Sequence, residues 1–386
     1  MSGVEESWGP MSSMIADLPF GLRVVGEAPK VSEGEILGVV VARNEALRLG
    51  ASMRHARHLG IGPIIVIDNL SDDATRAVAA GFERAHVVEA PGSYAGSRFG
   101  VDWLNAVLDR FGQHRWTLVF DADEQLVFPG SEAPQALPRL CAHLAMQGSE
   151  CLRTIMLDLF PREPLHATRY HPDQALVEAA PWFEPPWLRQ EAVAHFPYVS
   201  EYGGVRERLF FPEIDPRRPL QRLRQKLYNL GWRLPLLRRS PRYAKLAPRR
   251  SPNMTKVPLV RWRDGARFIN AHSLAPMAIA EGQPSGVLLH FKFLQDFHDR
   301  VLDAVSRDAH FDGSAEYHRY LAALRRNPRF TLHDERSLRY AGPAQLVDLG
   351  LMRDTAAWQA ARTPRHPGMA PESSEQAICT TVGAST

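Results

Sequence analysis

Between residues 36 and 120 the chain alternates short apolar runs with stretches of helical periodicity, and this alternation restricts the fold more than any other feature. Ile36-Leu37-Gly38-Val39-Val40-Val41 is a continuous run rich in β-branched residues, which suits a strand buried on both faces. Leu49, Met53, Ala56 and Leu59 then recur at helical spacing, until Gly60 and Gly62-Pro63 stop the helix ahead of Ile64-Ile65-Val66-Ile67. The unit repeats as a helix over 72–82, a strand at His86-Val87-Val88, a helix over 98–111 and a strand over 116–120. Such repetition predicts an α/β fold with a doubly wound, mostly parallel sheet. Ligands of these sheets bind beyond the carboxyl ends of the strands, so the residues just after each strand matter most.

Those positions are polar. Arg43-Asn44-Glu45 follows the first strand, Asp68-Asn69-Leu70-Ser71-Asp72-Asp73 the second, and Asp121-Ala122-Asp123-Glu124 the fourth. Asp121 and Asp123, two apart at the end of an extended segment, are expected to leave on one face while Ala122 faces away. Crowded carboxylates repel, and a divalent cation relieves them; oxygen ligands favour Mg²⁺ or Mn²⁺, which bridge to phosphate oxygens. The plainer alternative is a solvated acidic turn or a helix N-cap.

These three clusters, in this order and spacing, resemble the GT-A nucleotide-sugar domain of family 2 glycosyltransferases, most closely over 36–130 and more weakly to about 300. The resemblance implies a metal-dependent, inverting transfer of a sugar from a nucleotide-diphosphate donor. It assigns Arg43, Asp68 and Asn69 to base and ribose, puts Glu45 and Asp121 in the donor site, and makes Arg98 the arginine before the acidic motif that meets the donor. It also implies a histidine on the last core strand that completes the metal shell beside Asp121 and Asp123. His290 fits that place, with His272 as its rival. Lys292, two residues beyond His290, is on the same face if the strand continues and pairs with phosphate as a point charge. The catalytic base is sought among Glu207, Asp158 and Glu201, with Glu207 preferred because it follows Gly203-Gly204. Other roles stay open beside these: surface ion pairs for Arg43 and Arg98, a turn or N-cap for Asp68, a structural ion pair for Glu207. Ser71 and Thr75 are left to capping and helix packing.

Residues 1–33 read as a loosely ordered lead-in, 34–300 as the transferase domain (34–130 nucleotide-sugar half, 131–300 acceptor half), 301–363 as a helical extension and 364–386 as a disordered tail. Strands are expected over 151–157 and 287–291, and helices over 296–305 and 314–324. A formal charge of +3 on 386 residues gives no support to nucleic acid as a partner. Three widely spaced cysteines form neither a disulfide framework nor a zinc site. No signal peptide or membrane-spanning run is seen, so a cytoplasmic protein is expected. Between 217 and 250 every charged residue is Lys or Arg, and Leu220, Leu223, Leu227 and Leu230 share one helical face. This basic insertion, set at 216–250, predicts either peripheral contact with the anionic inner membrane face or a helix docked with a solvated basic side. The acceptor would be a glycan or lipid-linked glycan. A nucleotidyltransferase is the second enzyme class, although Arg43-Asn44-Glu45 is not a Gly-rich phosphate loop, and a non-catalytic nucleotide-sugar or glycan binding protein is the third reading.

Overall fold

The computed structural model describes residues 18–186, 188–192, 199–214, 251–307 and 311–363, with isolated positions between 223 and 243. Most of the basic segment, the first 17 residues and the tail from 364 lie outside the described residues. The centre is one nine-stranded sheet. Its strands in chain order are β1 (Arg23–Val25), β2 (Ile36–Ala42), β3 (Ile61–Asp68), β4 (Ala85–Glu89), β5 (Arg115–Val119), β6 (Glu124–Val127), β7 (Cys151–Asp158), β8 (Thr255–Trp262) and β9 (Gly286–His290). Across the sheet they run β1-β4-β3-β2-β5-β8-β7-β9-β6. β4, β3, β2 and β5 are mutually parallel, and so are β7 and β9. The fold is therefore mixed α/β with a mostly parallel sheet, as the alternation predicts.

Helices cover both faces, which is why the inner strands are apolar throughout. On one side α1 (Ala46–Leu59) and α4 (Ala136–Met146) bury Leu49, Met53, Leu137 and Leu140 against Val40, Val66 and Leu118. On the other, α3 (Val101–Phe111) buries Val101, Leu104, Val107 and Leu108 against Val39, Ile65 and Ile67. Gly60 ends α1 at φ 106, in the left-handed region that glycine adopts without a Cβ penalty.

Several elements depart from the sequence reading. β1, β6 and β8 run against the rest of the sheet, and none has a local signature. β1 draws residues 23–25 of the supposed lead-in onto the edge strand β4, and Leu18 and Leu22 are buried beside it. α3 begins at Val101 and not at Arg98, because Arg98, Phe99 and Gly100 all have left-handed φ, at 52°, 61° and 80°. The second helix is short, α2 (Thr75–Ala80). Beyond α5 (Gly204–Phe210), α6 (Phe297–Arg307) and α7 (Phe311–Arg326) pack on each other and over the ends of β7 and β9, with Phe297, Val301 and Tyr320 sharing a core with Phe293 and Val205. The chain then returns to α4, where Trp358 is buried and its indole N–H donates to the Pro129 carbonyl at 2.8 Å.

Candidate functional site

The loops after β2 and β3 are laced together by side chains. Asn44 takes a left-handed φ of 54°, a conformation Asn tolerates better than most residues, and its side-chain oxygen accepts from the Asp72 N–H at 3.0 Å. The Asn44, Glu45 and Ala46 N–H groups, orphan donors at the start of α1, are received by Ser71 Oγ, Thr75 Oγ1 and Asp73 Oδ2. Ser71 and Thr75 thus serve the junction. Arg43 donates to the Asn69 carbonyl at 2.9 Å, and the Asn69 amide donates to the carbonyls of Ala90 and Gly92. Asp68 is fully buried and paired with Arg76 Nε at 2.5 Å.

The acidic cluster is built differently from the sequence reading. The chain turns at 122–123 instead of continuing as a strand, so Asp121 and Asp123 engage different partners. Three bonds fix the turn: the Asp121 N–H donates to Glu124 Oε2, the Ser52 hydroxyl of α1 to the Ala122 carbonyl, and the Phe291 N–H to the Asp123 carbonyl. Asp121 is half exposed and binds Lys256 Nζ at 2.7 Å. The same ammonium, itself buried, lies 2.7 Å from Glu124. A β-bulge between Lys256 and Leu259 absorbs Pro258, which has no N–H for a central strand. Burial, reinforced by the Asp121 charge, raises Glu124 to about 7; the two carboxylates hold Lys256 above the usual lysine range although burial opposes it.

Asp123 faces the other way, into the ends of β7 and β9. The sheet register places His290 beside Asp158 on β7 and Glu124 on β6. His290 Nδ1 is 2.6 Å from Asp158 and its Nε2 is 3.5 Å from Asp123. Burial works against a charged imidazole here, yet the carboxylates of Asp123 and Asp158 outweigh it and raise His290 to about 9. Asp123 falls well below the ordinary range: burial would raise it, but the His290 charge prevails. Asp158 is likewise held at about 2, with the Arg206 charge overcoming its burial, and Arg206 Nε lies 2.7 Å away. Lys292 sits over the rings of Tyr317 and Tyr320, with its ammonium 4.7 and 5.1 Å from their centres and Glu316 3.9 Å away. Glu45 binds Arg300 of α6 at 2.7 Å, and burial raises Glu45 to about 7 in spite of that charge.

The structure therefore gathers Glu45, Asp121, Asp123, Asp158, His290 and Lys292 along one edge. Arg98 lies apart, on Asp102 and the Ile269 carbonyl. His272 Nδ1 donates to the Thr255 carbonyl at 2.9 Å, and burial lowers the imidazole to about 4. Glu207 is buried under the Ser251 hydroxyl, and Glu201 lies 3.1 Å from Arg153. Three basic residues went unseen in the sequence, Arg48, which binds Asp296 and the Phe291 carbonyl, with Lys256 and Arg300; Arg206, read only as a flank of Glu207, binds Asp158. A lone lysine inside the apolar stretch 254–260 was the available signal for Lys256.

Among the described residues no three His, Cys, Asp or Glu side chains converge to hold a metal by themselves. The donor set that does exist, one carboxylate and one imidazole face to face, fits a Mg²⁺ or Mn²⁺ that takes its remaining ligands from substrate phosphates and water. No helix among the described residues is long and apolar enough to cross a membrane.

No protein-family model matches the chain, and no curated protein matches it. Among solved structures, 37% of the chain matches 42% of S. aureus TarS 1-349 in complex with UDP, at 14% identity and a TM-score of 0.25. The chain also matches glucosyl-3-phosphoglycerate synthase from Mycobacterium tuberculosis in complex with Mn²⁺, UDP and phosphoglyceric acid, over 32% of this chain and 43% of that one, at 18% identity and a TM-score of 0.23. A third match covers 33% of the chain and 63% of 4-diphosphocytidyl-2C-methyl-D-erythritol synthase, at 22% identity and a TM-score of 0.23. The chain spans less than half the length of the first two. These likenesses extend over about a third of the chain.

Proposed function

We propose that the protein is a metal-assisted glycosyltransferase that takes a sugar from a nucleotide-diphosphate donor. The observation that carries this reading is the meeting of Asp123 and His290, 3.5 Å apart at the carboxyl edge of the sheet, beside the half-exposed Asp121. Asp123 and His290 would hold Mn²⁺ or Mg²⁺, which when bound supplies positive charge against the leaving diphosphate. The laced loops carrying Arg43, Asp68 and Asn69 are proposed to seat base and ribose, and Lys292 to meet phosphate. Asp158, with its oxygens on His290 and Arg206, orients the imidazole and is a weak base. Glu207 and Glu201 are then the proposed proton acceptors for the acceptor hydroxyl. A glycan or lipid-linked glycan is the proposed acceptor class.

Incubation of the purified chain with a panel of nucleotide sugars and Mn²⁺ tests the reading. One donor should release its nucleoside diphosphate, and Asp123→Ala should abolish that release without unfolding the protein. Glu207→Gln and Glu201→Gln, compared at saturating donor, identify the base by which of them loses turnover while keeping donor affinity. Absence of release from every donor, with or without added glycan, would count against the proposal.

A further inference from the structure

The donor reading leaves Arg300 unused, although it belongs to the helical extension and reaches into the same edge. α6 buries Phe297, Val301 and Ala304, a stripe that fixes the rotation of the helix on its support. Arg300, one residue before Val301, projects toward the sheet, where Glu45 Oε1 and Oε2 receive its guanidinium at 2.7 and 3.1 Å. Its nearer edge stands 3.9 Å from Asp123 Oδ2, too far for a hydrogen bond. A guanidinium offers five N–H donors in a planar fork. Both side-chain hydrogen bonds of Arg300 found among the described residues go to Glu45, which leaves the other N–H groups of the fork for a further acceptor.

Exposure points the same way. The Asp123, His290 and Lys292 side chains are nearly closed off, whereas Arg300 keeps a quarter of its side chain open. Of the basic groups flanking Asp123 it is the most exposed. Arg48, the neighbouring arginine, is fully buried and committed to Asp296 and two backbone carbonyls. A planar, permanently charged fork with spare donors matches phosphate oxygens better than a point charge does.

We infer that Arg300 is a ligand of the donor's diphosphate, aimed by Glu45, so that the helical extension completes the donor site. This rests on the donor reading above. Glu45 then acts as a positioning residue: it holds one edge of the fork and leaves the other for the phosphate.

The test compares a nucleoside diphosphate with its monophosphate. Full-length wild type, Arg300→Met, Arg300→Lys and Asp299→Asn are titrated with ADP, CDP, GDP and UDP in Mn²⁺, then with the monophosphate of the nucleoside that binds best. Arg300→Met should weaken diphosphate binding at least tenfold, in line with a charged hydrogen bond, and monophosphate binding less than twofold. Arg300→Lys should fall between, and Asp299→Asn, on the exposed side of the same helix, should match wild type. Because Arg300→Met strands Glu45, the Glu45→Gln/Arg300→Met pair is measured too: it should recover thermal stability and still discriminate against diphosphate. Equal losses for both nucleotides, or wild-type diphosphate affinity in Arg300→Met, would overturn the assignment while leaving the donor reading standing. Failure of wild type to bind any nucleoside diphosphate would remove both.

Discussion

Divalent-ion affinity should climb steeply with pH, because a metal at Asp123 and His290 must displace a proton. With Nδ1 committed to Asp158, the nitrogen left for a metal is Nε2, which faces Asp123. In the metal-free protein that imidazole keeps its proton up to about pH 9. Each pH unit below that value costs about 1.4 kcal/mol, so binding at pH 7 should be weaker than the plateau by about 2.7 kcal/mol, roughly a hundredfold. Titration of Mn²⁺ by calorimetry from pH 6.5 to 8.5 should show close to a tenfold gain per unit, and at pH 7 about one proton should be released per ion. His290→Gln should weaken binding and flatten the profile; His272→Ala should change neither. A flat wild-type profile with no proton release would refute His290 as a ligand, and the same loss in His272→Ala would transfer the role.

Stability of the metal-free protein should fall at both ends of the pH scale. The raised His290 contributes stability that is complete below pH 6.5 and disappears as pH rises through about 9; the lowered Asp158 contributes stability present above about pH 4 and lost as pH falls through about 2. Each limb should be on the order of 2–3 kcal/mol in urea titrations, and His290→Gln should erase the alkaline one. Lys256→Met leaves Glu124 buried without its cation and should cost about 3–5 kcal/mol, with Glu124→Gln in the same chain restoring part of it. Leu223, Leu227 and Leu230 are exposed within the basic segment, and each Lys or Arg near an anionic surface is worth about 1 kcal/mol. Replacing Arg222, Arg224 and Lys226 with Gln should therefore reduce co-sedimentation with anionic liposomes at low salt and leave nucleotide binding unchanged; no co-sedimentation of wild type would favour a docked helix.

The part of the fold legible in the sequence is the part whose signal is local. β2 to β5 declare themselves by apolar runs separated by helical spacing, and the polar residues after them fall where a parallel sheet leaves its strands open. β8 does not, because it enters the sheet antiparallel from far along the chain, and Pro258 argues against a central strand until the bulge is seen to absorb it. The site divides in the same way. Asp121, Asp123 and His290 could be named from their positions after or within strands, but the turn that separates the two aspartates is set by Ser52, Glu124 and Phe291. Arg48, Arg206, Lys256 and Arg300 are separated from their partners by tens to hundreds of residues, so their pairings exist only in the folded topology. Arg98 shows the converse: its spacing placed it on a helix over 98–111, whereas the left-handed turn that holds it ahead of that helix and sends it to Asp102 was not readable.

The central claim, a donor site that needs a divalent ion at Asp123, is tested most directly by calorimetric titration of nucleoside diphosphates into wild type and Asp123→Ala, each in Mn²⁺ and in EDTA. The account predicts that one diphosphate binds wild type in Mn²⁺ and loses most of its affinity in EDTA, and that Asp123→Ala, folded by circular dichroism, binds it weakly in both. Equal affinity of wild type with and without the ion, or undiminished Mn²⁺-dependent binding in Asp123→Ala, would contradict it.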